Sequence, residues 1–485
     1  MTNTFKNATL NQEARTANGM KARQGTANSC VDLFFKAGAM RGQDIVPVFA
    51  AAYAEDKEMA IRIALWLRDA REGAGERKLF RDILGWLEVN DEEMAGRMLP
   101  RIPELGRWDD LLGLKTDLKY RAYDIVGKAI VDKNGLAAKW MPRKGPIASD
   151  MRKYFRVSPK QWRKDLVSLT KVVETQMCAN EWDDIDYNVV PSVASARYKK
   201  AFARHSPENY GNWAKALVSD DPAVRATVKV NAGAVYPYDV VKNLKYASAS
   251  EVKVIKAQWD ALPNYVGDSN ILPMVDVSGS MGCPVGGYGS GNSMTCMEVA
   301  VSLGMYCADK NTGKFKDMVL TFSVNPELYE LNGDIATKYT QISRMEWGYN
   351  TNLHAAFDKV LDVAVKGNVP QEEMPSAVLI MSDMQFDSCV SFDDGALAMI
   401  SRKYADAGYK MPAVVFWNIN AADNVPVKFD QKGVALVSGF SPAIMTSVLA
   451  ADFDEMTPEG IMTTTVNKSR YDLPSSVLPM SMKVR

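Results

Sequence analysis

The sequence predicts an α module followed by an α/β domain. An irregular, HEAT-like stack of helical hairpins is expected over residues 1–265, a doubly wound parallel-sheet domain over 266–450, and a tail over 451–485. Three observations predict this. A chain of 485 residues exceeds what one hydrophobic core serves. Apolar residues recur at helical spacing through the first half, and after about Leu262 short apolar runs alternate with helical stretches.

The helical half is clearest in "DIVPVFAAAYAEDKEMAIRIALWLRDAREGAGERKLFRDILGWLEV". Val48, Ala52, Ala60, Ile63, Ala64 and Leu67 share one stripe, Gly73 and Gly75 interrupt it, and Leu79, Ile83, Leu84 and Leu87 resume it. Helix, glycine turn and helix follow. "REGAGERK" lacks phosphate-loop spacing and follows no strand, so it is read as a hairpin turn. Similar periods recur near residues 99–118, 125–131, 162–177, 194–202 and 252–259 without a fixed repeat length.

In the second half "ILPMVDV", "DMVLTF", "SAVLIMSD", "MPAVVFWN" and "GVALVSG" are apolar on both faces, the signature of buried parallel strands covered by helices. Ligands of such folds gather beyond the carboxyl ends of the strands, where Asp276 and Asp383 fall.

Composition narrows the function classes. With 47% hydrophobic and 24% charged residues the chain is an ordinary globular protein, not a disordered one. The N-terminus has no secretory pattern and no apolar run reaches membrane-spanning length, so a cytoplasmic and monomeric protein is expected. The six cysteines form no Cys-x-x-Cys pair, and His205 and His354 are the only histidines. Any metal must therefore be held by oxygen. The net charge is zero, yet residues 1–270 carry 42 Lys+Arg against 34 Asp+Glu, and the remainder 16 against 24. Such asymmetry points to a polyanion-facing half joined to a half with another task.

The positive charge concentrates between residues 119 and 171, which hold 14 Lys+Arg against Asp124, Asp132, Asp150 and Asp165. Lys139, Arg143, Lys144, Arg152, Lys153, Arg156, Lys160, Arg163 and Lys164 are the candidate RNA-contacting residues, since cations attract phosphate through counterion release. Trp140, Tyr154, Phe155 and Trp162 are interleaved and could stack on unpaired bases, or could instead belong to the core.

"DVSGSM" carries the second candidate site. Asp276, Ser278 and Ser280 alternate as the chain leaves a strand, so their oxygens project to one side. One carboxylate and two hydroxyls supply half of the octahedral oxygen shell that Mg2+ wants. Thr351, after Gly348 and before a helix, and Asp383, at the end of a second strand, are expected at the same sheet edge. The alternative is that the serines cap a helix and Asp383 terminates a strand. Asp383, Asp387, Asp393 and Asp394 offer further carboxylates, but no nucleophile–base set emerges, so a non-enzyme is expected.

On these residues the second half resembles the von Willebrand factor A domain, whose metal-ion-dependent adhesion site is Asp-x-Ser-x-Ser plus a threonine and an aspartate from later loops. Asn352 stands where many relatives have aspartate, and the glycine-rich insertion "CPVGGYGSGNSMTC" lengthens the loop before the first helix. The first half resembles the helical module of TROVE proteins, the Ro ribonucleoprotein class, and a large uncharacterised family with the same helical-plus-A-domain layout. "MAIRIALWLRDAREGAGERKLFRDIL", "RWDDLLGL", "AAKWMPRKG" and "IDYNVVPSVASARYKKAFARH" carry that resemblance. It implies an RNA-binding scaffold for structured or misfolded RNA, with Mg2+ or another divalent cation in the A domain. A domains also imply an alternative, a Mg2+-dependent protein-interaction platform whose partner, such as a MoxR-type AAA+ ATPase, donates a carboxylate to the metal.

Overall fold

The computed structural model describes residues 13–475, except 234, 243, 245–246, 248, 286–293, 323–324, 346–350, 387–395 and 421–423. The chain is α-helical in its N-terminal part and α/β in its C-terminal part, as the periodicities predict. It divides into two compact units, one of Met1–Ile63, Glu72–Ala74 and Tyr236–Lys468, the other of Ala64–Arg71, Gly75–Val235 and Ser469–Arg485. The unit that holds the sheet thus also includes the first 63 residues and residues 451–468 of the expected tail.

The sheet unit opens with a small antiparallel hairpin of β1 (Glu13–Arg15) and β2 (Lys21–Arg23). Its main sheet comprises β3 (Ile271–Asp276), β4 (Met318–Phe322), β5 (Leu328–Glu330), β6 (Ala377–Ser382), β7 (Ala413–Asn418) and β8 (Val434–Ser438). The strand order is β5-β4-β3-β6-β7-β8. All neighbours are parallel except β4 and β5. The sequence missed β5, a three-residue edge strand that is never fully buried and so lacks an apolar run. Every residue of β3, β6, β7 and β8 is buried, which is why those strands read as continuous apolar stretches.

From β3 the chain winds outward to β4, and from β6 it winds the other way to β7 and β8. Right-handed crossovers then place the following helices on opposite faces, and a crevice opens at the β3/β6 switch point. The helix Cys296–Lys310 packs on β3. A Cβ at its Gly304 would lie 2.3 Å from Val275 Cγ2, so only glycine permits this approach. At the other edge, the helix Ser29–Ala37 covers β8: Ser438 Oγ donates to Phe34 O at 2.8 Å and accepts from Gly38 N at 3.0 Å.

The helical unit is a succession of short helices, among them Lys78–Asn90, Leu118–Val131, Gly135–Trp140, Pro146–Phe155, Pro159–Leu169 and Ser192–His205. Local chemistry sets their ends. Arg156 turns left-handed (φ 55°) after Phe155, and Ser158 then caps the next helix through Gln161 N at 3.1 Å, with Pro159 in its first turn. The glycines of "REGAGERK" form a turn between helices, as predicted, with Gly75 at φ 71°. Asp110, from "RWDDLLGL", is a buried pivot that accepts from Arg68 Nε at 2.7 Å, Arg81 Nε at 2.8 Å and Arg107 N at 2.9 Å. A buried carboxylate is tolerated because both its oxygens are saturated by cationic or backbone donors.

Candidate functional site

Two neighbouring parallel strands supply the core of the site. Asp276 ends β3 and Asp383 follows the last residue of β6, so the register Val275–Met381 brings the two exits side by side. Asp276 is wholly buried and Asp383 is 3% exposed. The Asp276 carboxylate accepts from Ser278 N at 2.9 Å through Oδ1 and from Ser382 Oγ at 2.5 Å through Oδ2. Ser382 Oγ in turn accepts from Met384 N at 3.0 Å.

After Asp276 the chain runs through Ser278 into the short 3-10 turn Gly279–Gly282. The Ser278 and Ser280 hydroxyls lie 3.1 Å apart, and Ser280 also hydrogen-bonds the Asp383 carboxylate. Ser278 makes no side-chain cap to this turn, so the capping alternative does not account for it. Ser280 is exposed, whereas Ser278 is buried.

Thr351 joins from a third segment. It is fully buried, and its Oγ1 donates to Gln385 O at 2.7 Å, two residues beyond Asp383. Asn352 caps the helix Leu353–Gly367 through Ala355 N at 3.0 Å, so this side chain has a structural task. His354 sits in that helix with Nδ1 3.3 Å from Asp358. The loop bearing Asp383 is pinned further by the N-terminal hairpin. Ala17 N donates to Gln385 Oε1 and Asn18 Nδ2 to Gln385 O, each at 2.7 Å, while Thr16 donates to Phe386 O. Nothing in the sequence pattern announced these contacts, which join positions more than 360 residues apart.

Met384 adopts φ 64°, a left-handed conformation that costs a non-glycine residue about 1–2 kcal/mol. Such strain concentrates at turns that must aim a side chain, here the one beside Asp383. Electrostatics agree with that reading. Burial, then the charge of Asp383, pushes the Asp276 carboxyl up from its usual 3.8 to about 7, against the hydrogen bonds from Ser382 and Ser278. Burial likewise raises Asp383. Two adjoining buried carboxylates with their hydroxyl neighbours form a donor set that fits a hard divalent cation, whose charge would relieve both terms. Among the described residues no group of three or more His, Cys, Asp and Glu could hold a metal, so a thiolate, imidazole or all-carboxylate centre has no counterpart there. Gly348, Asp387, Asp393 and Asp394 lie outside the described residues.

The nine basic candidates separate into two groups. Lys144, Lys153, Arg156, Lys160, Arg163 and Lys164 are exposed, and none makes an ion pair among the described residues. Lys160, Arg163 and Lys164 share one face of the helix Pro159–Leu169, opposite the buried Trp162 and Leu166. The remaining three, Lys139, Arg143 and Arg152, are half-buried. Lys139 pairs with Glu174 at 3.2 Å, and Arg143 donates to Thr170 Oγ1 at 3.3 Å.

Of the interleaved aromatics Trp162 is buried, as the core alternative has it, whereas Trp140, Tyr154 and Phe155 are partly exposed and pack against other side chains. Trp162 is 3% exposed, donates from Nε1 to Pro142 O at 3.1 Å and stacks on Phe155 with centroids 5.9 Å apart. Tyr154 stacks on Tyr120 at 5.2 Å and donates to Asp124 at 2.7 Å. Arg107 lies 3.4 Å over the Trp140 ring.

Comparison with known proteins gives two family matches. Residues 270–482 match a domain of unknown function (DUF7788), and residues 16–92 and 129–272 match another (DUF2828). An uncharacterised protein of Acanthamoeba polyphaga mimivirus is 28% identical over 500 residues, covering 90% of this chain and 84% of that one. Among solved structures, the Ro (RSR) protein of Deinococcus radiodurans is similar with a TM-score of 0.36 and 15% identity, over 87% of this chain and 90% of that one. No described helix is long and apolar enough to cross a membrane.

Proposed function

We propose that this chain is a non-catalytic ribonucleoprotein scaffold: its helical unit binds structured or misfolded RNA, and its A-type domain holds one Mg2+ or similar cation. The observation that carries the RNA reading is the set of six exposed cations at Lys144, Lys153, Arg156, Lys160, Arg163 and Lys164, none of them in an ion pair among the described residues. Surface cations clustered within 21 residues carry no evident packing role, and phosphate neutralisation is the chemistry they serve best. Burial of Trp162 removes its ring as a stacking surface, which favours contact to the backbone and to RNA shape over contact to unstacked bases.

In the A-type domain Asp276, Ser278, Ser280, Thr351 and Asp383 would hold the cation. The ion supplies fixed positive charge and an open coordination position. Asp383 and Asp276 offset that charge, while Ser382 fixes the orientation of Asp276.

The test uses the full chain, stripped at high salt and titrated with a labelled structured RNA. Binding should weaken steeply with salt. Changing Lys160, Arg163 and Lys164 together to Ala should flatten the slope of log affinity against log salt by about 2–3, because each lost phosphate contact removes about 0.7–0.9. Absence of RNA binding at low salt refutes the reading.

Exposed Ser280 favours a second reading, in which a partner protein, such as a MoxR-type AAA+ ATPase, donates a carboxylate to the cation. That reading requires capture of the ATPase to be lost on chelation and in Asp276→Ala, with RNA binding retained. Capture indifferent to both refutes it.

A further inference from the structure

The insertion that follows Ser280 begins at Cys283 and ends at Cys296, and the two sulfurs face each other. Their Sγ atoms are 3.5 Å apart, the contact distance of two thiols. The strands leading into and out of the insertion are paired: Val285 N donates to Met294 O at 2.8 Å, Cys296 N donates to Cys283 O at 3.0 Å, and Pro284 and Thr295 form an antiparallel bridge. Cys283 and Cys296 stand opposite each other in this stem, and opposed residues of an antiparallel pair have Cα atoms about 4.5–5.5 Å apart. That separation lies inside the range a disulfide spans, so small side-chain rotations suffice to bring the sulfurs to bonding distance.

Both ends of this stem are held. Cys283 N donates to Ser280 O at 3.2 Å. Cys296 opens the helix Cys296–Lys310, whose start is fixed by a reciprocal cap: Thr295 N donates to the Glu298 carboxylate at 2.9 Å, and Glu298 N to Thr295 Oγ1 at 3.2 Å. The two thiols also differ in access. Cys283 is partly exposed and its sulfur accepts from Asn420 Nδ2 at 3.6 Å, whereas Cys296 is buried. The partly exposed thiol can meet a solute, and the buried one can only meet its neighbour.

We propose that Cys283 and Cys296 form a reversible disulfide on exposure to a peroxide, bonding the turn after Ser280 to the start of the following helix. In the first step the Cys283 sulfur, as thiolate, attacks one peroxide oxygen; the O–O bond breaks, Cys283 becomes a sulfenic acid, and the leaving oxygen takes up a proton as water. In the second, the Cys296 sulfur attacks Cys283, the S–O bond breaks, the S–S bond forms and a second water leaves. The two thiols have lost two electrons and two protons, and hydrogen peroxide has been reduced to two waters. A dithiol restores both thiols by exchange.

The experiment treats the reduced full chain with hydrogen peroxide, blocks remaining thiols with N-ethylmaleimide and digests with chymotrypsin, which can cut after Tyr288 between the two cysteines. The expected result is a Cys283–Cys296 cross-linked peptide, the loss of two maleimide additions per chain, and reversal by dithiothreitol. Cys307→Ser should react like the wild type. In Cys296→Ser, Cys283 should stop at the sulfenic acid and be trapped by dimedone. Recovery of maleimide on both Cys283 and Cys296 after peroxide treatment of the wild type, or of dimedone on Cys283 in place of the cross-link, overturns the proposal. The wild-type map decides the matter even where a serine variant folds poorly.

Discussion

Ser382 Oγ lies 2.5 Å from Asp276 Oδ2 and joins the carboxyl ends of two adjacent parallel strands. This hydroxyl belongs to neither aspartate's loop sequence motif, yet it orients the carboxylate on which the proposed cation site depends. Ser382→Ala should therefore weaken Mn2+ or Mg2+ binding about 10- to 100-fold, as the loss of groups that orient metal ligands commonly does. Calorimetric titration of the two proteins checks it. Equal affinity would mean that Asp276 is positioned without Ser382 or does not bind the ion.

The raised Asp276 carboxyl makes stability depend on pH in a definite sense. Its folded value, about 7, lies above the 3.8 of an unperturbed aspartate, so the native state binds the proton more tightly than the unfolded chain does. The metal-free protein should be most stable, as far as this group contributes, below about pH 4, and should lose that contribution as pH rises towards and through 7. A divalent cation competes with the proton. Its affinity should rise with pH up to about 7 and level off above it, and the melting temperature gained on adding Mg2+ should grow over the same window. Melting curves with chelator and with Mg2+ between pH 5 and 8 test this, and a gain independent of pH would contradict it.

How much of this was legible follows from where the interactions lie along the chain. β3, β6, β7 and β8 were visible because burial on both faces makes their sequences uniformly apolar, while β5, a three-residue edge, leaves no such trace. Asp276, Ser278 and Ser280 were legible because alternation in an exiting strand is a local property. Ser382 was missed although it immediately precedes Asp383, since a serine ending a strand has no distinctive spacing. The N-terminal contacts to Gln385 and the cover of β8 by Ser29–Ala37 were not legible at all, because pairings across about 400 residues leave no periodicity. Whether the aromatics near the basic cluster face the core or a ligand stayed open in the sequence, because helical spacing alone does not distinguish a buried ring such as Trp162 from a ligand-facing one.

The close approach of Ser29–Ala37 to β8 gives a direct test of the packing of this helix within the sheet unit. A Cβ at Gly38 would lie 2.8 Å from Gly439 N and from the Ser438 carbonyl, all backbone atoms that cannot rotate away. Gly38→Ala should destabilise the sheet unit by about 1–3 kcal/mol through overpacking. Urea unfolding followed by the near-ultraviolet signal of the buried tryptophans, Trp417 of β7 among them, would register it. An unchanged midpoint would show that the helix does not rest on β8.

Trp162 and the cations of its own helix should separate cleanly. Because the indole is buried, stacked on Phe155 and hydrogen-bonded to Pro142 O, Trp162→Ala should lower stability by about 3–5 kcal/mol. Trp162→Phe keeps most of the volume and should leave RNA affinity unchanged in folded protein, whereas the Lys160, Arg163 and Lys164 alanine variant should do the reverse. A selective loss of RNA affinity in Trp162→Phe, with stability intact, would restore the indole as a base-stacking surface.

The last prediction concerns the segment after residue 468, whose first residues meet a buried carboxylate of the helical unit. Asp69 is fully buried and accepts from Arg470 Nη2 at 2.9 Å, from Arg470 Nε and from Tyr471 Oη at 3.1 Å. Arg101 Nε and Arg97 Nε add bonds to Asp472 O at 2.8 Å and Pro474 O at 2.9 Å, but these are made by partly exposed guanidinium groups to backbone carbonyls. Asp69→Asn preserves the shape and removes the charge, so about 1.5–3 kcal/mol of charge-assisted hydrogen bonding should be lost from this segment. Since local opening governs cleavage when closure is fast, proteolysis between residues 469 and 475 should accelerate about tenfold or more, with cleavage elsewhere little changed. Timed digestion with mass analysis of the released C-terminal fragment measures it. A cleavage rate equal to that of the wild type would mean that contacts other than those to Asp69 hold the segment.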